Sequence, residues 1–240
     1  MMDRVYATPF KQIKAFKFDS SVANAFDDMV NRSIPYYQEI HQLILDVADK
    51  KIREGDLIYD LGCSTGTTIS ILSEHFKNKN LSFIGVDTSA PMIEQALKKL
   101  TQANHEVSLL NEDISKLPLL KSGMIIMNYT LQFIDPALRF DLMKKIYDSL
   151  RPGGLFIFSE KIASSQSRVQ ETITDLYYDF KRRNGYSELE ISQKREALEN
   201  VLIPYTASEQ LELMRKAGFN QSEMIFRWYN FACFIGMKDE

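Results

Sequence analysis

The stretch Tyr59-Asp60-Leu61-Gly62-Cys63-Ser64-Thr65-Gly66-Thr67-Thr68, YDLGCSTGTT, decides the fold of this 240-residue chain. An apolar run (Leu57, Ile58, Tyr59) ends on Asp60, a turn of small residues succeeds it, and helical spacing begins near Thr67. A strand, a tight turn and a helix start let a ligand lie against bare backbone. Small residues permit close approach, and the helix N-terminus presents unpaired N–H donors. Glycine turns of this kind recur in many folds, so the weight of the reading comes from the rest of the chain.

From Asp56 the pattern alternates between strand and helix. Leu57–Leu61 reads as a strand, Thr67–Phe76 as a helix and Ser82–Val86 as a second strand closed by Asp87. Ser89 is placed to cap the helix Ala90–Leu100, with Pro91 in its first turn. Val107–Leu110, Gly123–Asn128 and Leu155–Ser159 read as strands. Pro136–Leu150 reads as a helix stopped by a turn at Arg151-Pro152-Gly153-Gly154. This alternation predicts an α/β fold with a parallel sheet covered on both faces, whose ligands lie beyond the carboxyl ends of the strands. Asp60, Asp87, Asp113 and Asn128 all fall at or just past such ends, which makes one candidate site of four polar residues.

Before this core, residues 1–20 read as an arm with little periodicity, and Ser20–Lys50 as two helices separated near Pro35. After it the alternation breaks. Residues 161–205 read as helices, with an apolar stripe Val169, Ile173, Leu176, Tyr177, Phe180 and a capping box Ser187-x-x-Glu190. This segment is expected to be an insertion covering the mouth of the site. Thr206-x-x-Glu209 caps another helix ending near Gly218, and Ser222–Met237 alternates as an antiparallel strand pair. The whole reads as a single domain, 1–240.

Composition excludes several classes. A net charge of −3 and a pI near 5.7 give no basic footprint for a stable nucleic-acid grip. Two cysteines far apart, without metal-ligand spacing, fit a reducing setting, and no long apolar run suggests a membrane span. A cytoplasmic protein is expected. His41, His75 and His105 have no paired acid, Ser or Cys and read as solvated. No metal site is expected, and Cys63 reads as a small turn residue rather than a nucleophile. The GxxxxGK[ST] phosphate loop is absent.

Among the candidates, Asp87 ends the second strand, where an acidic side chain accepts from ribose hydroxyls in nucleotide-binding sheets. Asp113 with Ile114 suits the edge and face of an adenine, or equally an Asx-type turn. Asn128 could touch a ligand or satisfy local backbone, and Gln132 and Phe133 are read as wall residues. Lys181, Arg182, Arg183, Lys194 and Arg195 alternate with acidic residues. They read as a self-paired solvated face, or as the source of an arginine placed to capture a carboxylate.

In order, DLGCSTG, GVDTSAPM, NEDI, MNYTLQF and LRPGGLFIFSEK resemble the class I S-adenosylmethionine (AdoMet) methyltransferase fold. This Rossmann-like fold has a seven-stranded, mostly parallel sheet with a reversed last strand, which matches the aromatic tail. Ser64 stands for the middle glycine of the usual DxGxGxG, and Gly62-x-Ser64-x-Gly66 departs from the GxGxxG of NAD-binding dehydrogenases. NRSIPYYQEI, NYTLQF, SEK and above all FKRRNGYSELEISQKREALENV (Phe180–Val201) are similar to the carboxy-S-adenosylmethionine synthase family, over nearly the whole chain.

That resemblance implies nucleotide contacts at Tyr37, Gly62, Cys63, Ser64, Asp87, Thr88, Asp113, Ile114 and Asn128. It also implies that Arg195 pairs with the carboxylate added to the ligand's sulfonium methyl. In the implied reaction, prephenate loses CO₂ and hydroxide as it aromatises to phenylpyruvate. The AdoMet methyl is deprotonated and captures the CO₂, giving carboxy-AdoMet for 5-oxyacetyluridine formation at the tRNA wobble position. Departing hydroxide could serve as the base. The resemblance further implies a homodimer. An ordinary small-molecule methyltransferase and a non-catalytic AdoMet-binding module stand as the competing readings, and a tRNA methyltransferase is disfavoured by the acidic balance.

Overall fold

The computed structural model describes residues 1–240 except 102 and 104. Two helices, α1 (Ser20–Ser33) and α2 (Tyr37–Lys51), precede the alternating core. The core runs β1 (Leu57–Leu61), α3 (Thr67–His75), β2 (Ser82–Val86), α4 (Ala90–Leu100), β3 (Glu106–Leu110), β4 (Ser122–Asn128), α5 (Pro136–Ser149) and β5 (Leu150–Lys161). Then come α6 (Ser167–Arg183), α7 (Glu188–Leu198), α8 (Ala207–Ala217), β6 (Gln221–Trp228) and β7 (Phe231–Met237). The seven strands form one sheet in the order β3-β2-β1-β4-β5-β7-β6. β1, β2, β3, β4 and β5 pair in parallel, whereas β7 runs antiparallel to both β5 and β6.

Side-chain alternation along the central strands explains the two layers. In β4, Met124 and Ile126 face a cluster with Ile40 and Ile44 of α2 and Leu72 of α3. Ile125 and Met127 face the opposite cluster with Leu142 and Ile146 of α5 and Met214 of α8. Helix starts obey local chemistry. Ser89 accepts from the N–H of Met92, and Ser187/Glu190 and Thr206/Glu209 close reciprocal capping boxes.

Two sequence expectations are corrected. Arg151–Gly154 is a bulge inside β5 rather than a turn before it. Ser122 pairs with Leu150 and Met124 with Leu155, so β5 advances five residues while β4 advances two. Pro152 has no N–H for a ladder and Gly153 takes φ +65°. Lys238, at the end of the chain, donates to Gly154 O and accepts from Gly153 N, which holds the bulge to the sheet.

The N-terminal arm is tied down along α7. Gln193 donates to the carbonyls of Tyr6 and Thr8 and accepts from Phe10 N, and Phe16 N donates to Ala197 O. A third apolar cluster joins Phe16, Val22, Met29 and Met92 to Ala197. Two histidines are also not solvated. His41 is 5% exposed beneath Tyr37 and reaches Thr68 Oγ1, and burial lowers its pKa. His105 contacts Ser73 Oγ and the carbonyls of Phe76 and Lys79, whereas His75 is exposed beside Asp49. In both inward cases a helix or loop neighbour supplies polar partners that sequence spacing does not reveal.

Candidate functional site

The turn after β1 is built by backbone geometry that few side chains permit. Gly62 N and Cys63 N both donate to Val86 O, which pulls the turn against the end of β2. Gly62 has φ +80°, and a Cβ there would lie 2.1 Å from Thr130 Oγ1. Ser64 holds φ +48°, a left-handed conformation costing about 1–2 kcal/mol outside glycine. It is held by its N–H donating to Asp87 Oδ2 at 3.0 Å.

Asp87 receives a second N–H, from Ser89 to Oδ1 at 2.8 Å. One carboxylate therefore spans the ends of β1 and β2 and keeps two acceptor lone pairs free. Asp60 lies nearby at 2% exposure, and its Oδ2 has no partner among the described residues. Burial, and secondarily the charge of Asp87, push its pKa up to about 7. Asp87 is raised too, again mainly by burial, against the opposing pull of its two N–H donors. Both side-chain polar atoms of Asn128 are likewise unpartnered among the described residues. Buried polar groups without partners disfavour the empty state and are satisfied when a polar, cationic ligand arrives.

These residues open on a cavity of ≈ 260 Å³ at the carboxyl ends of β1, β2 and β4. Its walls include Phe18 and Phe26 from the N-terminal segment and α1, Tyr37 from α2, and Phe133. Phe18 packs edge-on against both Phe26 and Phe133. The segment carrying Gln132 and Phe133 is fixed from below by Glu160 of β5. Its carboxylate accepts the N–H groups of Thr130, Leu131 and Gln132 at 2.8–3.1 Å. Burial pushes the Glu160 pKa up to about 8, against those donors and the charge of Arg139.

Tyr37, Gly62, Cys63, Ser64, Asp87, Thr88, Ile114 and Asn128 all line this one cavity. Asp113 does not. Its Oδ1 accepts from Ser115 N and Ser115 Oγ, forming the Asx-type turn, and its carboxylate faces Lys116 in solvent. The sequence Asp-x-Ser offers that local partner before any ligand does. Arg195 is also outside the cavity. It is exposed and borders an adjoining outer cavity of ≈ 490 Å³.

The basic residues expected on one solvated face divide instead. Arg182 pairs outward with Asp179 and Glu188. Lys181 and Lys194 turn inward and meet Lys161, from the end of β5, around Tyr177. Lys161 and Lys194 line both cavities, so they form the neck between them. Burial pushes Lys161 down to about 8, Lys194 to about 8 and Lys181 to about 7. Sequence reading passed over Lys161 as a site residue. Its signals were its place in the SEK motif and an ionisable side chain at the end of a largely apolar strand.

A glycine turn with an acid at the end of each of the first two strands, facing an apolar nucleoside-sized cavity, defines a class I methyltransferase-type domain. Residues 58–154 match the family model described as a methyltransferase domain. Human N-acetylserotonin methyltransferase, solved in complex with SAM, superposes with a TM-score of 0.62 at 14% identity, over 98% of this chain and 61% of that one. A putative S-adenosyl-L-methionine-dependent methyltransferase from Methanococcus maripaludis gives 0.60 at 18% identity, over 96% and 99%. At such identities these two show the fold alone.

Sequence relatives are more specific. The carboxy-S-adenosyl-L-methionine synthase of Nautilia profundicola is 46% identical over 99% of this chain and 100% of its own. That of Sulfurimonas denitrificans is 45% identical with the same coverage. The chain belongs to the carboxy-S-adenosyl-L-methionine synthase family.

Proposed function

We propose that this enzyme converts AdoMet and prephenate to carboxy-AdoMet, phenylpyruvate and water, supplying the carboxymethyl donor for wobble-uridine modification of tRNA. The single observation carrying the reading is the charge polarity of the site. Asp60 and Asp87, without a cationic partner among the described residues, lie at the glycine turn, and unpaired cations lie across the cavity at α6 and α7. A sulfonium cation and a small organic dianion are the ligand pair that such a site neutralises. An ordinary methyltransferase, the second reading, uses the acidic end but gives the lysines no task.

In this reading Asp87 accepts from the ribose hydroxyls, Ile114 packs on the adenine, and Asn128 finds its partners on the ligand. Gly62, Cys63, Ser64 and Thr88 offer backbone approach, and Tyr37 with the Phe18–Phe133 wall excludes water. The orphaned oxygen of Asp60 favours the ligand's positive end. Departing hydroxide takes the methyl proton as CO₂ joins the methyl carbon, so atoms and charge balance without a protein base. Arg195 has no ion-pair partner among the described residues and pairs with the new carboxylate by charge-assisted hydrogen bonds.

The chain acts as a single AdoMet-binding domain, with 161–205 as a helical lid. It works as a cytoplasmic homodimer, and its acidic balance supports the absence of stable tRNA binding. No helix among the described residues is long and apolar enough to cross a membrane. Incubation with AdoMet and prephenate, read by mass spectrometry, should yield a product heavier than AdoMet by one carboxyl group, together with phenylpyruvate. Methyl transfer without dependence on prephenate would move the assignment to the ordinary methyltransferase.

A further inference from the structure

Three lysines converge without an ion-pair partner among the described residues, although Glu199 lines the same outer cavity and Asp3 acts on Lys194 as a nearby negative charge. Lys161 Nζ lies 5.1 Å and Lys181 Nζ 4.9 Å from the centroid of the same ring, Tyr177. Lys181 is also 5.3 Å from the Tyr178 centroid, and only 5% of it is exposed. Lys194 Nζ reaches Ser33 Oγ at 3.3 Å and the Tyr186 ring at 5.9 Å. None of the three makes an ion pair among the described residues, whereas Arg32, Arg182 and Lys99 nearby all do. Hydroxyls and aromatic faces stabilise an ammonium only weakly by comparison with a carboxylate. Each lysine is disfavoured mainly by burial, and Lys161 and Lys194 act on Lys181 as like charges. Such clustering persists when a ligand supplies the missing negative charge.

The surroundings narrow that ligand. The outer cavity sets four cations, Lys161, Lys181, Lys194 and Arg195, against one acid, Glu199, between apolar side chains and the rings of Tyr177 and Tyr178. At ≈ 490 Å³ it exceeds what one inorganic anion fills. Its mixture of spread cations and flat apolar walls suits a carbon ring carrying separated carboxylates. The neck formed by Lys161 and Lys194 joins it to the cavity bearing Asp60 and Asp87. A carboxylate held at the neck would therefore face whatever group occupies the inner cavity.

We propose that Lys161, Lys181 and Lys194, around Tyr177, are the binding seat for the two carboxylates of the co-substrate. Lys161 and Lys194 hold the carboxylate nearest the inner cavity, and Lys181 holds the second. The proposal rests on the reaction assigned above, and its substrate class is a cyclic dicarboxylate.

The test uses the full chain loaded with S-adenosylhomocysteine, which has no methyl to react, and titrates prephenate by calorimetry. Lys161→Met, Lys181→Met and Lys194→Met keep stem length and apolar packing. Each should weaken prephenate binding at least tenfold, and Lys181→Met, which lies outside the inner cavity, should leave affinity for S-adenosylhomocysteine within twofold. Their melting temperatures should be unchanged or higher, because an unpaired buried charge is removed. Prephenate affinity retained in the variants overturns the seat, as does a wild type that binds no prephenate. The reaction is read separately, by carboxy-AdoMet formation in the wild type. If that fails while the variants still lose prephenate binding, the reaction falls and the dicarboxylate seat stands.

Discussion

Replacing Asp87 with asparagine separates ligand recognition from folding. The Asp87 carboxylate offers four acceptor positions, two of them occupied by Ser64 N at 3.0 Å and Ser89 N at 2.8 Å. Two remain for the ribose hydroxyls. Asparagine keeps one acceptor oxygen and turns an NH₂ toward one of the two backbone donors. One ribose hydrogen bond is then lost and the other no longer involves a charge. With charge-assisted bonds contributing about 1.5–3 kcal/mol each, the combined loss is about 3 kcal/mol. At 1.4 kcal/mol per tenfold, AdoMet affinity should fall roughly 100-fold. The free protein should lose far less. The mispaired backbone N–H costs about 1–2 kcal/mol, and removing the charge beside Asp60 offsets part of it, since Asp87 disfavours the ionised form of Asp60. Calorimetry on ligand-stripped protein, paired with thermal unfolding of the same samples, reads both numbers. An AdoMet Kd within fivefold of wild type, on folded protein, would refute the assignment of Asp87 to the ligand.

Two further outcomes arise from buried charge. Asp60 titrates near 7 in the folded protein and near 3.9 when unfolded, so the folded state binds more protons between those values and stability falls as pH rises through that window. Asp60→Asn removes the effect. Its stability relative to wild type, measured by denaturant unfolding without ligand, should improve by about 2–3 kcal/mol between pH 5 and pH 8; a constant difference would sink the reading. Arg151 forms a two-pronged ion pair with Asp56, Nε to Oδ1 at 2.7 Å and Nη2 to Oδ2 at 2.6 Å, and Asp56 is only 7% exposed. Arg151→Ala should cost about 3 kcal/mol and lower the melting temperature by roughly 6–12 °C. A loss below about 1 kcal/mol in denaturant unfolding would show the pair to be dispensable.

The strand–turn–helix core was legible because local rules agree there with the tertiary answer. Apolar runs end on polar residues, Ser89, Ser187 and Thr206 cap helices by their own side chains, and the aromatic alternation after Gln221 yields the antiparallel pair. Reading failed where a residue's role depends on distant chain. The Arg151–Gly154 turn signal is real, but Lys238 binds the segment into the sheet as a bulge. His41 looked solvated until Tyr37 and Thr68 closed over it. The charged residues of α6 and α7 looked self-paired because their acidic neighbours are close in sequence. Helix geometry sends Lys181 and Lys194 to the other face.

Sequence alone determined the doubly covered sheet, the glycine turn and the acids at the strand ends, because periodicity and small-residue spacing act over a few residues and need no partner. Full-length likeness to the carboxy-S-adenosyl-L-methionine synthases was legible because it is spread along the whole chain. Only the tertiary structure decided that Asp113 spends its carboxylate on Ser115 and that Arg195 borders an outer cavity. Only it brought Lys161 from β5 to Lys181 and Lys194. Burial and Coulomb energy depend on distances between segments far apart in sequence, and no local pattern encodes them. YDLGCSTGTT specifies one end of the site, and the opposite, cationic end exists only after α6 and α7 pack across it.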